Sequence, residues 1–111
     1  MLEVQGTGVK ISRGDTARIV IELDTAPAEG TRALVTLKRR PGMEHEALWE
    51  KELAVDGKQF TLDLNSEDTN HKPGVYWWDV RLMGTAEDER ALVQTVFLPS
   101  PFEVVEVVGR A

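Results

Sequence analysis

The chain has 111 residues, enough for one domain with its own core and too few for a second beside it. It has no cysteine, which excludes disulfides and thiolate metal sites and leans towards a reducing compartment. Its net charge of −6 disfavours phosphate backbones, so no nucleic-acid partner is expected.

No window approaches the roughly 20 apolar residues of a membrane span, so no membrane partner is expected. Met1-Leu2-Glu3-Val4-Gln5 lacks the basic start and apolar run of a signal peptide, so synthesis in the cytoplasm is expected.

Along the chain the dominant period is two. Val9-Lys10-Ile11 reads as a short opening strand, and Arg13-Gly14-Asp15 as a turn. From Thr16 to Leu23 the alternation is regular: Ala17, Ile19, Ile21 and Leu23 fall on one face, Arg18, Val20 and Glu22 on the other. Asp24 to Gly30, with Pro27, is a loop. Arg32 to Arg39 alternates again, with Ala33, Val35 and Leu37 on one side, and Arg40-Pro41-Gly42 breaks it.

Ala47 to Leu53 follows, with Trp49 as its core member; seven residues are few for a helix, so it is assigned as a strand. Asp56-Gly57 signals a hairpin, and Phe60, Leu62 and Leu64 then alternate with Thr61 and Asp63. Asn65 to Gly74 is the longest polar loop. Val75 to Met83 is the clearest strand, with Tyr76, Trp78, Val80 and Leu82 on one face and Trp77, Asp79 and Arg81 on the other. Gly84 to Glu89 is an acidic turn. Ala91 to Leu98 is another strand, Pro99-Ser100-Pro101 marks a strand that changes sheets or lies on an edge, and Phe102 to Val108 is the last strand.

About eight short strands separated by turns, half of each polar, indicate a single all-β domain over residues 1–111. The expected form is an antiparallel β-sandwich or barrel with one wet face. Its expected core includes Ile19, Ile21, Val35, Leu37, Trp49, Phe60, Leu62, Tyr76, Trp78 and Val80.

The residue types of catalysis are sparse. His45 lies between Glu44 and Glu46, and His71 in Asp68-Thr69-Asn70-His71; both read as solvated loop residues, with no nucleophile elbow nearby. Glu67, Asp68 and His71, with Asp63 close by, contain hard ligands for a cation, but neither EF-hand spacing nor an H-E-x-x-H pair is present. Side-chain-to-backbone bonds that bend a loop explain these residues better. Glu87, Asp88 and Glu89 are adjacent on one turn and do not face each other across a cleft, as glycosidase carboxylates must. Arg13-Gly14-Asp15 matches an adhesion tripeptide, but Gly-Asp is ordinary turn chemistry. Neither an enzyme nor a cofactor or metal is expected.

The aromatic run Tyr76-Trp77-Trp78 says more. With Tyr76 and Trp78 inside, Trp77 lies on the outer face with Asp79 and Arg81. There it either packs under a loop or anchors an interface with protein or sugar. Val104, Val105, Val107 and Val108 crowd both faces of the last strand, which is either buried centrally or covered by a neighbour. The candidate interface is therefore Trp77, Asp79, Arg81, Val105 and Val107.

Three segments carry a resemblance: Ser12-Arg13-Gly14-Asp15-Thr16 leading into its strand, Asp68 to Leu82 with Pro73-Gly74-Val75-Tyr76 at its centre, and the closing Pro101-Phe102-Glu103-Val104. Together they resemble small immunoglobulin-like sandwich proteins of tailed phages and prophages, including the N-terminal domain of upper-baseplate proteins. In these, a G-D-T opening, a D-T-x-x-x-x-P-G-x-Y-x-x-D stretch and a G-x-F-x-V-like ending recur in this order. Here the ending carries Ser100-Pro101 in place of the glycine.

The resemblance implies an immunoglobulin-like β-sandwich of seven to eight strands and a non-catalytic virion structural role in a tail, baseplate, neck or head surface. It also implies assembly on other virion proteins or on copies of itself, with location in the host cytoplasm before the virion. A carbohydrate-binding module, with Trp77 stacked on a sugar, is the alternative.

Overall fold

The computed structural model describes residues 2–42, 44–85 and 91–107. Among them are eight strands and one helical turn: β1 (Leu2–Gln5), β2 (Gly8–Ser12), β3 (Ala17–Glu22), β4 (Arg32–Lys38), β5 (Ala47–Ala54), β6 (Gln59–Leu64), α1 (Ser66–Thr69), β7 (Gly74–Thr85) and β8 (Ala91–Val105). They form two sheets, one of six strands in the order β1-β2-β8-β7-β4-β5 and one of two, β3-β6. The inner faces meet in a sandwich whose core includes Ile11, Val35, Leu37, Phe60, Leu62, Val80 and Phe102. No helix among the described residues is long and apolar enough to cross a membrane.

Strand pairing follows the alternation read from the sequence. In β4, Ala33, Val35 and Leu37 point inward and are fully buried. In β7, Tyr76, Trp78, Val80 and Leu82 also point inward and are buried, while Trp77, Asp79 and Arg81 line the opposite face. Of the ten expected core residues, Ile21 and Trp49 are only partly buried. Both have a physical reason: β5 is the edge of the large sheet, and β3 has a neighbour on one side only.

The strand count came out right by compensating differences. The opening segment is a hairpin, β1 with β2, turning at Gly6-Thr7. The Trp78 indole Nε1 donates to the Thr7 carbonyl at 2.9 Å and pins that turn. Pro99-Ser100-Pro101 does not interrupt the chain's last strand, and β8 stays in one sheet, with Pro101 opposite Trp77. The prolines are tolerated because the ladder to β2 begins only at Val9↔Phe102, so the missing donors cost no pairing on that side. The register of β8 on β7 slips between Trp78 and Val80 and again between Val80 and Arg81, the mark of bulges.

Not every pair is antiparallel: β2 runs parallel to β8. The Asp56-Gly57 signal does turn the chain, with Asp56 and Gln59 exchanging backbone bonds at 2.8 and 3.1 Å and Gly57 at φ 63°. Its two arms then separate, β5 into the large sheet and β6 into the small one. Gly84 and Thr85 belong to β7 and not to a turn; Glu87, Asp88, Glu89 and Val108 lie outside the described residues.

At one end of the sandwich the polar loop after β6 folds into α1. Asn65 caps it through a reciprocal box: Asn65 Oδ1 accepts from the Asp68 N–H at 3.1 Å, and Asp68 Oδ2 accepts from the Asn65 N–H at 2.8 Å. The turn after β2, with Gly14 at φ 80°, docks on α1: the Gly14 N–H donates to the Thr69 carbonyl, and the Ser66 hydroxyl to the Gly14 carbonyl. The Arg13 N–H reaches the Val105 carbonyl at 2.8 Å.

Candidate functional site

The outer face of the six-stranded sheet brings three of the five expected interface residues together. Trp77, Asp79 and Arg81 follow one another along β7, opposite Lys38, Thr36 and Leu34 of β4. They line a groove of about 590 Å³, walled on one side by the β4–β5 loop and floored by β4 and β7. This volume falls in the range of small-ligand clefts. Lys38 Nζ donates to the Gly42 carbonyl at 2.7 Å, tying the loop back towards the sheet. Trp77 is half-buried here and lines the groove together with residues of that loop.

Glu50, opposite Thr36 on β5, puts a further carboxylate in the groove, beside those of Glu44 and Glu46 from the loop. Burial pushes the Asp79 carboxyl above the ordinary carboxylate value, while the charges of Arg81 and Lys38 pull it back. The groove thus offers an aromatic face, the cations of Lys38 and Arg81 and four carboxylates, those of Glu44, Glu46, Glu50 and Asp79. Such a set suits directional polar contacts around an apolar anchor.

Val105 and Val107 lie elsewhere. Val105 is half-buried and paired with Ser12 near the far end of β8, away from the groove. Val107 lies beyond the strand, which stops at Val105, and is 41% exposed. The expected strand apolar on both faces therefore shrinks to Val104 inside and Val105 outside.

The loop residues with catalytic or ligand character have structural employment. The Asp68 carboxylate caps α1 and pairs with Lys51 at 2.9 Å, and its carbonyl accepts from the Trp49 indole at 3.0 Å. Asp63 pairs across the strands with Arg18 at 2.7 Å. His71 leans on the Tyr76 ring, 5.7 Å between centroids; its Nε2 is buried with no hydrogen-bond partner, and it lines neither groove described here. His45, exposed at the groove rim, lies 3.4 Å from Glu44. Among the described residues no three His, Asp or Glu side chains are grouped to hold a metal.

Sequence reasoning missed a second groove, of about 540 Å³, between β3 and the first half of β8. It arises because, among the described residues, β3 has no strand on its outer side, a property of topology that no local pattern announces.

No family model matches the chain, and neither does any curated protein or solved structure compared with it.

Proposed function

We propose that the protein is a non-catalytic assembly module of a phage or prophage virion, in a tail, baseplate, neck or head surface. It docks other virion proteins, or copies of itself, on the outer face of its six-stranded sheet. The observation that carries the docking is the half-buried Trp77, set between Lys38, Asp79 and Arg81 on a face otherwise turned to solvent. Large aromatics beside arginine are the common anchors of protein interfaces. Val75 and Val93, about half exposed, extend this surface.

The virion assignment rests on the sequence resemblance, and one structural relationship supports it. The three segments that carry the resemblance adjoin one another, the first to the second through Gly14 with Thr69 and the second to the third through the pairing of Gly74 with Val104 and Tyr76 with Phe102. An immunoglobulin-like topology is supported by the parallel β2–β8 pair and by Tyr76, whose hydroxyl donates to the Lys72 carbonyl four residues upstream in the manner of a tyrosine corner. Assembly takes place in the host cytoplasm before the virion is complete. The net charge of −6 favours protein over nucleic-acid partners.

Light scattering over a range of concentrations, on wild type and Trp77→Ala, tests the docking face. A defined oligomer that the substitution dissociates is expected. An oligomer indifferent to Trp77 removes this face from the interface, and a gene with no phage genes beside it removes the virion role.

One observation favours a second reading, a carbohydrate-binding module. Trp77 presents a ring beside the hydrogen-bonding groups of Asp79, Thr36 and Glu50 in a cleft of ligand size. A glycan screen at millimolar sugar, read by tryptophan fluorescence, separates the two.

A further inference from the structure

The cleft between β3 and β8 is bordered by a sheet edge that no described residue pairs: among the described residues β3 bonds β6 alone. The direction of its free groups follows from one bond: the Leu23 N–H donates to the Lys58 carbonyl at 2.6 Å, in register with the ladder Ala17↔Leu64 to Glu22↔Gln59. In an antiparallel pair, hydrogen-bonded and non-bonded positions alternate. Ala17, Ile19 and Ile21 therefore bond β6, and Arg18, Val20 and Glu22 turn their N–H and C=O groups towards the cleft. No backbone bond among the described residues takes up the N–H groups of these three.

The facing segment of β8 is guarded. Its two register slips and Pro99 and Pro101 are devices that keep an edge from pairing. β3 carries neither proline nor bulge. The cleft is also apolar inside: Ile19, Ile21, Leu23, Trp78, Leu82 and Phe97 line it. A third strand beside β3 would cover Ile21, Leu23 and Phe97, which are only partly buried, and complete the small sheet.

We propose that this cleft accepts an extended segment of a partner protein, which adds as a strand to the free edge of β3. The segment is apolar at alternate positions and basic where it passes Glu22 and Asp24. Alternation follows from the mode: main-chain bonds to Arg18, Val20 and Glu22 hold the segment, and every second side chain enters the cleft. The charge follows from the lining, whose charged members, Glu22 and Asp24, are both acidic. The same charges, with a net charge of −6, disfavour a second copy of this chain as occupant. The surface is distinct from the Trp77 groove, and the proposal does not depend on the virion role.

The test uses the whole protein and three acetylated heptapeptides: alternating lysine and valine, alternating glutamate and valine, and lysines and valines in two blocks. Binding is followed by amide NMR and hydrogen exchange. The alternating lysine–valine peptide is expected to protect the Arg18, Val20 and Glu22 amides selectively. Val20→Pro deletes a cleft-facing N–H without touching the β6 ladder, and an edge strand tolerates it. It is expected to weaken binding by about tenfold or more, and by more than Val20→Ala, which keeps the N–H, does. Glu22→Gln with Asp24→Asn is expected to abolish the preference over the glutamate–valine peptide. Equal binding of the blocked peptide, no binding at millimolar peptide, or full affinity in Val20→Pro overturns the proposal. So does protection of the same amides without peptide that grows with protein concentration, which assigns the cleft to a second copy. Should Val20→Pro fail to fold, the wild-type protection pattern decides alone.

Discussion

The Thr69 hydroxyl donates to the carbonyl of Asp15 at 2.7 Å, joining two turns 54 residues apart in the chain. Thr69 is fully buried, and the Gly14 N–H returns the connection to the Thr69 carbonyl. The bond explains why a threonine occupies a core position. Thr69→Val keeps the shape and removes the donor, leaving the Asp15 carbonyl without it. A loss of about 0.5–1.5 kcal/mol is expected, the net worth of one such hydrogen bond. Urea denaturation of Thr69→Val beside Thr69→Ser measures it; equal stabilities would show that the hydroxyl contributes nothing.

Phe102 is the hub of the aromatic core. It meets Trp49 edge-on at 6.4 Å and Trp78 at 6.1 Å, and Trp78 in turn meets Phe97 at 5.0 Å. Because Phe102 is fully buried, Phe102→Ala removes its burial and leaves a cavity between the sheets. About 3–5 kcal/mol should be lost, a large part of the roughly 5–15 kcal/mol of a whole domain. The urea midpoint checks this, and near-ultraviolet circular dichroism should show Trp49 and Trp78 losing their fixed surroundings.

Phe102 also shows where the sequence is legible and where it is not. The inward faces of β3, β4, β6 and β7 follow from period-two alternation, because one buried face imposes that period. Trp77, Asp79 and Arg81 could be placed together on the same grounds. What alternation cannot give is pairing. The sheet assignment of β5 and β6 around Asp56-Gly57, the parallel pairing of β2 and β8, and the passage of β8 through two prolines depend on contacts distant in sequence. The cleft beside β3 was hidden for the same reason, and Ile21 looked like core because nothing local says that its strand has one neighbour.

Asp68 performs three tasks at the junction of β5 and α1. Its carboxylate accepts from the Asn65 N–H and pairs with Lys51, whose side chain is 24% exposed against 12% for Asp68, and its carbonyl holds the Trp49 indole. Asp68→Ala removes the first two, and about 1–3 kcal/mol of stability should go with them. Asp68→Asn retains an acceptor for the cap and should cost less. Comparing the two at low and high salt isolates the ion pair, because only its share is screened. Equal losses in both variants would assign the effect to the charge and not to the cap.

Asp79 gives the outer groove a pH signature. Its carboxyl is raised above the ordinary value of 3.8, first by burial, against the opposing charges of Arg81 and Lys38. A carboxyl with a raised folded pKa holds its proton more tightly folded than unfolded. Its ionisation therefore weighs against folding above the raised value. That penalty is relieved as the pH falls through it towards 3.8. Asp79→Asn should stabilise the protein at pH 7, by less than about 1 kcal/mol because water screens a half-exposed group. The advantage should vanish below about pH 4, where the wild-type carboxyl is itself protonated. Urea midpoints of both proteins at the two pH values measure the difference. A destabilised Asp79→Asn at pH 7 would mean that attraction to Lys38 and Arg81 outweighs the burial, and that the groove is held together by its charges.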